Sequence, residues 1–184
     1  MRRRRRGFGA DHSTGCPEVG TAVRPACDTR AVSDRAALCE ELATTWHRDI
    51  PLAAAMQIGV ESYDGRTLTV RAPLPPNRNL HGTAFAGSLY SACVLTGWGA
   101  AWLALREHGL TGVIVVADSS IEYRKAVGGD LVCLCTPDAA ALEAGLEKLR
   151  ESGRARFDLG CSIESDGQRA VRFTGKYAVR SKHT

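Results

Sequence analysis

The sequence predicts an α+β domain in which one curved antiparallel sheet wraps a single long apolar helix. Three observations predict it. Asn79 to Leu105 contains no Asp, Glu, Lys or Arg. Arg154 to Arg180 alternates apolar and polar residues on both sides of Ser165-Asp166-Gly167-Gln168. Shorter strand-like runs precede and follow the charge-free run. A sheet with one polar face needs an apolar cover for the other, and only the charge-free run is long enough to supply it.

The elements follow in order. Residues 1–32 hold few apolar residues and no periodicity, and read as a disordered basic tail; residues 33–184 form the folded domain. Ser33 is a suitable helix N-cap, and Leu38, Leu42 and Trp46 then recur at helical spacing until Pro51 ends the helix. Ile58, Val60 and Ser62 alternate up to Asp64-Gly65, and Leu68 and Val70 resume, which predicts a hairpin. Pro73, Pro75 and Pro76 open a loop that ends in Asn77-Arg78-Asn79. After the apolar helix, Val113 to Lys125 reads as a long strand, Gly128-Gly129-Asp130 as a turn, and Leu131 to Cys135 as a returning strand. Thr136-Pro137 starts a short helix, with Leu142, Leu146 and Leu149 on one side.

Charge excludes several function classes. The net charge of +4 resides in residues 1–30, where seven Arg face Asp11, Glu18 and Asp28; the remainder balances. The folded part therefore has no overall bias toward nucleic acid. The run Arg2 to Arg6 is read as a solvated tail rather than a nucleic-acid or lipid tether. Seven cysteines at irregular spacing, without CxxC, give no metal site and imply a reduced, cytoplasmic protein.

The charge-free run is long enough to cross a bilayer. Its composition argues against that. Ala86, Gly87, Ser91, Ala92, Gly97, Gly99 and Ala100 are small residues that insert weakly but let a sheet approach closely. The flanking amphipathic strands would also lose their core. No membrane association is expected.

Two motifs carry a resemblance. Asn77 to Trp98, NRNLHGTAFAGSLYSACVLTGW, and Val115 to Asp130, VVADSSIEYRKAVGGD, resemble the YiiD C-terminal type of thioesterase domain, within the hotdog-fold superfamily. The likeness covers roughly residues 34–180. It implies a homodimer or a dimer of dimers, acyl thioesters of coenzyme A or acyl carrier protein as substrates, and an active site at the dimer interface near the start of the central helix. Coenzyme A or the carrier protein would enter as part of the substrate, with no resident cofactor. A dehydratase is disfavoured, because no His-Phe-Pro-Gly signature precedes the helix.

Thioester hydrolysis needs a polarised carbonyl, a positioned water and a departing thiol. The start of a buried helix offers unpaired N–H groups and the positive end of the helix dipole. The amides of Ala86 and Gly87 are the expected oxyanion donors. Asn79 and Thr83 are expected to orient water or substrate, although turn formation and helix capping would also explain them. His81, Gly82, Ser88, Tyr123, Arg124 and Lys125 are expected to contact substrate, the last two through coenzyme A phosphates. Ser88, Ser91 and Cys93 have no His near them in sequence and are read as packing residues rather than nucleophiles.

The general base is missing from its expected place. Many hotdog thioesterases carry a carboxylate further along the central helix, where this chain has Val94-Leu95-Thr96-Gly97. Asp118 is the first substitute, with Glu61 and Glu122 behind it; each also fits an ordinary solvated strand face. The gap keeps a second reading open, that of a non-catalytic module that binds acyl thioesters.

Overall fold

The computed structural model describes residues 29–181. The expected basic tail falls almost wholly outside them. Helix α1 (Thr29–Asp49) starts four residues before Ser33, so Ser33 lies within the helix rather than at its cap. Pro51 does more than end α1: it opens a second short helix, α2 (Pro51–Met56), as its first residue, where a missing N–H costs nothing. Strands β1 (Gly59–Tyr63) and β2 (Leu68–Ala72) form the expected hairpin. Asp64 holds its turn by accepting from the amides of Arg66 (2.7 Å) and Thr67 (2.6 Å).

The charge-free run divides into a loop, residues 79–85, and the central helix α3 (Ala86–Glu107). Beyond it come β3 (Gly112–Tyr123), β4 (Leu131–Cys135), α4 (Ala139–Ser152), β5 (Arg154–Ser165) and β6 (Gln168–Ser181). Helix α4 begins two residues later than Pro137 suggests, because Asp138 caps it: its carboxylate accepts from the Ala141 amide at 2.8 Å.

The six strands form one antiparallel sheet in the order β1-β2-β4-β5-β6-β3. The alternation read in β5 and β6 is the alternation of burial. Ala155, Phe157, Leu159, Cys161 and Ile163 face inward, as do Val171, Phe173, Tyr177 and Val179. Helix α3 lies in the concave side of the sheet and packs against β2 through β6, with α1 beside it. It is apolar and long enough to cross a membrane, yet it is mostly buried within this sheet.

Two glycines explain how the sheet closes on α3. A Cβ at Gly97 would collide with the Tyr177 hydroxyl, which donates to the Val94 carbonyl at 3.0 Å. A Cβ at Gly99 would meet Trp46 of α1, Leu42 and Leu68. Small residues thus set the spacing on both sides of the helix. Cys93 of α3 lies 3.7 Å from Cys133 of β4, sulfur to sulfur, in the same buried layer as Cys135 and Cys161. These are free thiols. Among the described residues, no group of three or more His, Cys, Asp or Glu is placed to hold a metal.

Candidate active site at the start of the central helix

The loop before α3 is organised by Asn79. Its amide donates to the Thr83 carbonyl at 2.8 Å, and its own carbonyl accepts from Gly82 at 3.1 Å. Its side chain closes the rest. Oδ1 accepts from the amides of His81 (2.9 Å) and Thr83 (3.2 Å), while Nδ2 donates to Thr83 Oγ1 (3.0 Å) and the Ala84 carbonyl (3.3 Å). Gly82, at φ +81°, permits the reversal. Thr83 bonds to Asn79 and does not cap the helix. The whole loop stands on Asn77, a residue the sequence reading treated only as part of a turn. Asn77 is buried, and its Nδ2 donates to the carbonyls of Met56 (2.9 Å) and Pro73 (2.7 Å). Its carbonyl accepts from Phe85 N at 2.7 Å.

Phe85 is the N-cap of α3, and no side chain caps the helix. The first amide of this end to reach a helical acceptor is that of Leu89, which donates to the Phe85 carbonyl at 3.0 Å. The amides of Ala86, Gly87 and Ser88 have no acceptor among the described residues, as helix geometry requires of a first turn. Ala86 is exposed, and Gly87 and Ser88 are half-buried. The Phe85 ring lies against Gly87, where any Cβ would strike it. His81 is exposed at the loop tip. Ser91 Oγ donates back to the Gly87 carbonyl at 2.8 Å. Cys93 is held protonated by its contact with Cys133 and by burial, so it supplies no thiolate.

Strand β3 decides which other residues meet this end. Before Ala117 its even-numbered residues face inward: Ile114 pairs with Val179, and Val116 with Tyr177. The register slips between Val116 and Asp118, a β-bulge at Ala117. Beyond it the odd-numbered residues face inward: Ser119 opposite Gly175, Ile121 opposite Phe173 and Tyr123 opposite Val171. Tyr123 thereby donates from its hydroxyl to the Ala86 carbonyl at 3.0 Å, and Ser119 Oγ meets the Tyr90 hydroxyl at 2.8 Å. Partial burial raises the Tyr123 pKa above the ordinary phenol value, which keeps it a donor. Tyr90 packs edge-on against Phe173. Tyr90, Ser119 and Phe85 went unread in the sequence, since alternation alone places none of them here.

The same bulge turns Asp118 outward. Asp118 pairs with Lys176 at 2.7 Å on the solvent face of the sheet, the face opposite α3, and Lys176 depresses its pKa. Glu122 is also on the outer face and binds Arg124 at 2.6 Å, while Glu61 binds Arg71 at 2.9 Å. None of the three substitutes for the missing base is brought to the helix start within this chain. Lys125 binds Asp166 at 3.1 Å, so both cations expected to meet phosphates are already neutralised by carboxylates. The structure thus gathers Asn79, Thr83, Ala86, Gly87, Ser88 and Tyr123, turns Asp118 to the outer face, and engages Arg124 and Lys125, which follow Tyr123, in surface ion pairs.

A long apolar helix held in a curved antiparallel sheet, with an uncapped first turn beside a polar loop, defines the hotdog class. The family described as "Putative thioesterase (yiiD_Cterm)" matches residues 39–181, and the chain belongs to that family. Solved structures agree. A protein of unknown function from Chlorobaculum tepidum is 32% identical, covers 79% of this chain and 95% of its own, and superimposes with a TM-score of 0.76. A protein from Shewanella oneidensis described as a putative thioesterase is 35% identical over 78% of this chain and 97% of its own, with a TM-score of 0.69. A third, from Pseudomonas aeruginosa and described as a probable thioesterase, shares the fold at 19% identity and a TM-score of 0.67, over 78% of this chain and 95% of its own.

Proposed function

We propose that this protein hydrolyses acyl thioesters of coenzyme A or acyl carrier protein at the start of α3, in a site completed by a second copy of the chain. The uncapped first turn carries the reading. The amides of Ala86 and Gly87 have no acceptor and sit at the positive end of a buried helix dipole. One such donor aimed at a developing oxyanion contributes about 2.7–4 kcal/mol to the transition state. Asn79 holds the Thr83 hydroxyl with its Nδ2 as donor, so the hydroxyl proton stays available to a water or to the substrate. The Tyr123 hydroxyl fixes the first turn by its bond to the Ala86 carbonyl.

The second copy is argued from β3. It is an edge strand of 12 residues, and Val116 and Tyr123, on its inner face, remain 39% and 48% exposed. An apolar edge of that length invites pairing with another strand. Pairing β3 with its own copy would bring the second chain beside the helix start, and a base could then arrive from outside the chain.

A second reading rests on one observation: among the described residues, no carboxylate is brought to the helix start. That favours a protein that binds acyl thioesters without cleaving them. Thiol release, measured across acyl chain lengths on both carriers alongside a direct binding measurement, separates the two. Release by the wild type that is lost in Asn79→Ala supports hydrolysis. Saturable binding of every thioester with no thiol released replaces it with the binding protein.

A further inference from the structure

The outer face of the sheet carries a groove of about 630 Å³ at the end of β3 far from the helix start. Lys148 of α4, Arg154 and Arg156 of β5, and Arg180 of β6 converge on it, above a floor that includes Val113 and Val115. None of these four cations forms an ion pair with a carboxylate among the described residues.

The sheet register makes this an imbalance rather than a scatter of surface charge. Arg154 stands directly opposite Arg180, and like charges in that position oppose each other. Two rows along on the same face, beyond Arg156 opposite Ala178, Asp158 stands opposite Lys176, which stands opposite Asp118 at ion-pair distance. The same face thus neutralises that row and leaves the two before it with cations alone, Arg156 in one and the Arg154–Arg180 row beyond it. The row lacks a counter-anion and has space for one.

We propose that this groove binds a phosphorylated nucleotide carrying two or more phosphate groups. Guanidinium forks match phosphate oxygens, and four cations suit a multiply charged ligand. The volume is that of a ligand site rather than of a single ion. Val113 and Val115, each about half exposed, offer a flat apolar surface to a base and sugar. Free nucleotides and the phosphorylated adenosine half of coenzyme A share this chemistry. The chain's own first 30 residues do not complement the groove, because they carry the same sign of charge. The groove lies on the face of the sheet opposite α3, so the proposal does not depend on the reaction proposed there.

The test is calorimetric titration of the full chain with ATP, adenosine 3′,5′-bisphosphate, coenzyme A, inorganic phosphate, adenosine and a short RNA. Binding of ATP or of the bisphosphate, tighter than inorganic phosphate and adenosine and weakened by salt, is expected. Combining Arg154→Ala with Arg180→Gln should weaken it at least about tenfold, since two charged hydrogen-bond donors to phosphate are lost. The ligand-free melting temperature of that variant should hold or rise, because a like-charge pair is removed; a structural role would lower it. ATP binding without coenzyme A binding identifies free nucleotides as the source, and the reverse identifies coenzyme A. Equal binding of adenosine, preference for inorganic phosphate or for RNA, no binding at all, or nucleotide binding untouched by the double variant would each overturn the proposal.

Discussion

The two ends of the central helix are built in opposite ways. At the C-terminal end the charged side chains are paired. Arg106 binds Glu41 at 2.5 Å and stacks over Trp102 at 5.1 Å. Glu107 accepts from Arg35 at 2.8 Å and from the Tyr63 hydroxyl at 2.7 Å. The Leu110 amide returns to the Leu105 carbonyl at 2.8 Å. At the N-terminal end the first amides have no partner, although the loop beside them spends four side-chain hydrogen bonds of Asn79 on holding its shape. Saturated groups serve the fold. Unsaturated groups on a rigid support are what a ligand can use, and substitutions at the two ends should therefore separate activity from stability.

The largest effect is expected at the open end. Asn79→Ala removes the loop's organising side chain, and thiol release should fall about 100-fold or more, the scale of losing an oxyanion donor. Steady-state kinetics with denaturant melts beside them would show whether the loss exceeds any change in stability. Gly87→Ala comes next. Its Cβ must displace the Phe85 ring, which is 54% exposed and free to move, so activity should drop while the melting temperature changes little. An active Gly87→Ala with wild-type rates would remove Gly87 from the site.

The closed end should show the reverse. Glu107→Ala takes the acceptor from Arg35 and Tyr63 and should cost about 1–2 kcal/mol in chemical denaturation, with rates per folded molecule unchanged. Burial and the bond to Glu107 both push the Tyr63 pKa upward, so the phenol remains a donor throughout the neutral range.

The smallest effect is expected from Asp118→Asn. Activity should match the wild type, because Asp118 faces away from α3. Lys176 lowers the folded-state pKa of Asp118. The pair's contribution is therefore present above the ordinary carboxylate value and lost as pH falls through the depressed one. Melting temperature against pH should show a slightly shallower acid limb in the variant, confined to pH values below about 4.

Much of this fold is legible because its signals are local. The alternation in β5 and β6 and the unbroken apolar character of α3 report burial residue by residue. The errors are also local in origin. As sequence signals Pro51 marks a helix end and Pro137 a helix start, whereas Pro51 also opens α2 and Asp138 supplies the cap of α4. At the site, Asn79 was legible because its partners lie within five residues of it. Tyr123 owes its place to a contact across 37 residues, and Asp118 stands out in the sequence as a carboxylate breaking an apolar strand start, a signal blind to the bulge that turns it outward. A bulge leaves no composition signal: Ala117 looks like any other strand residue.

That single alanine works as a parity bit for the strand. Six residues follow it to the strand's end, and their facing is fixed by a count rather than by their identity. A strand that took Ala117 into regular pairing and kept the far register with β6 would keep Tyr123 in place and turn over the residues before the bulge. One that kept the near register would instead swing Asp118, Ser120 and Glu122 toward the helix and Tyr123 toward solvent. A one-residue slip of register that closes the bulge is thus a route by which this scaffold could exchange a hydroxyl-lined helix start for a carboxylate-lined one, with no substitution at all.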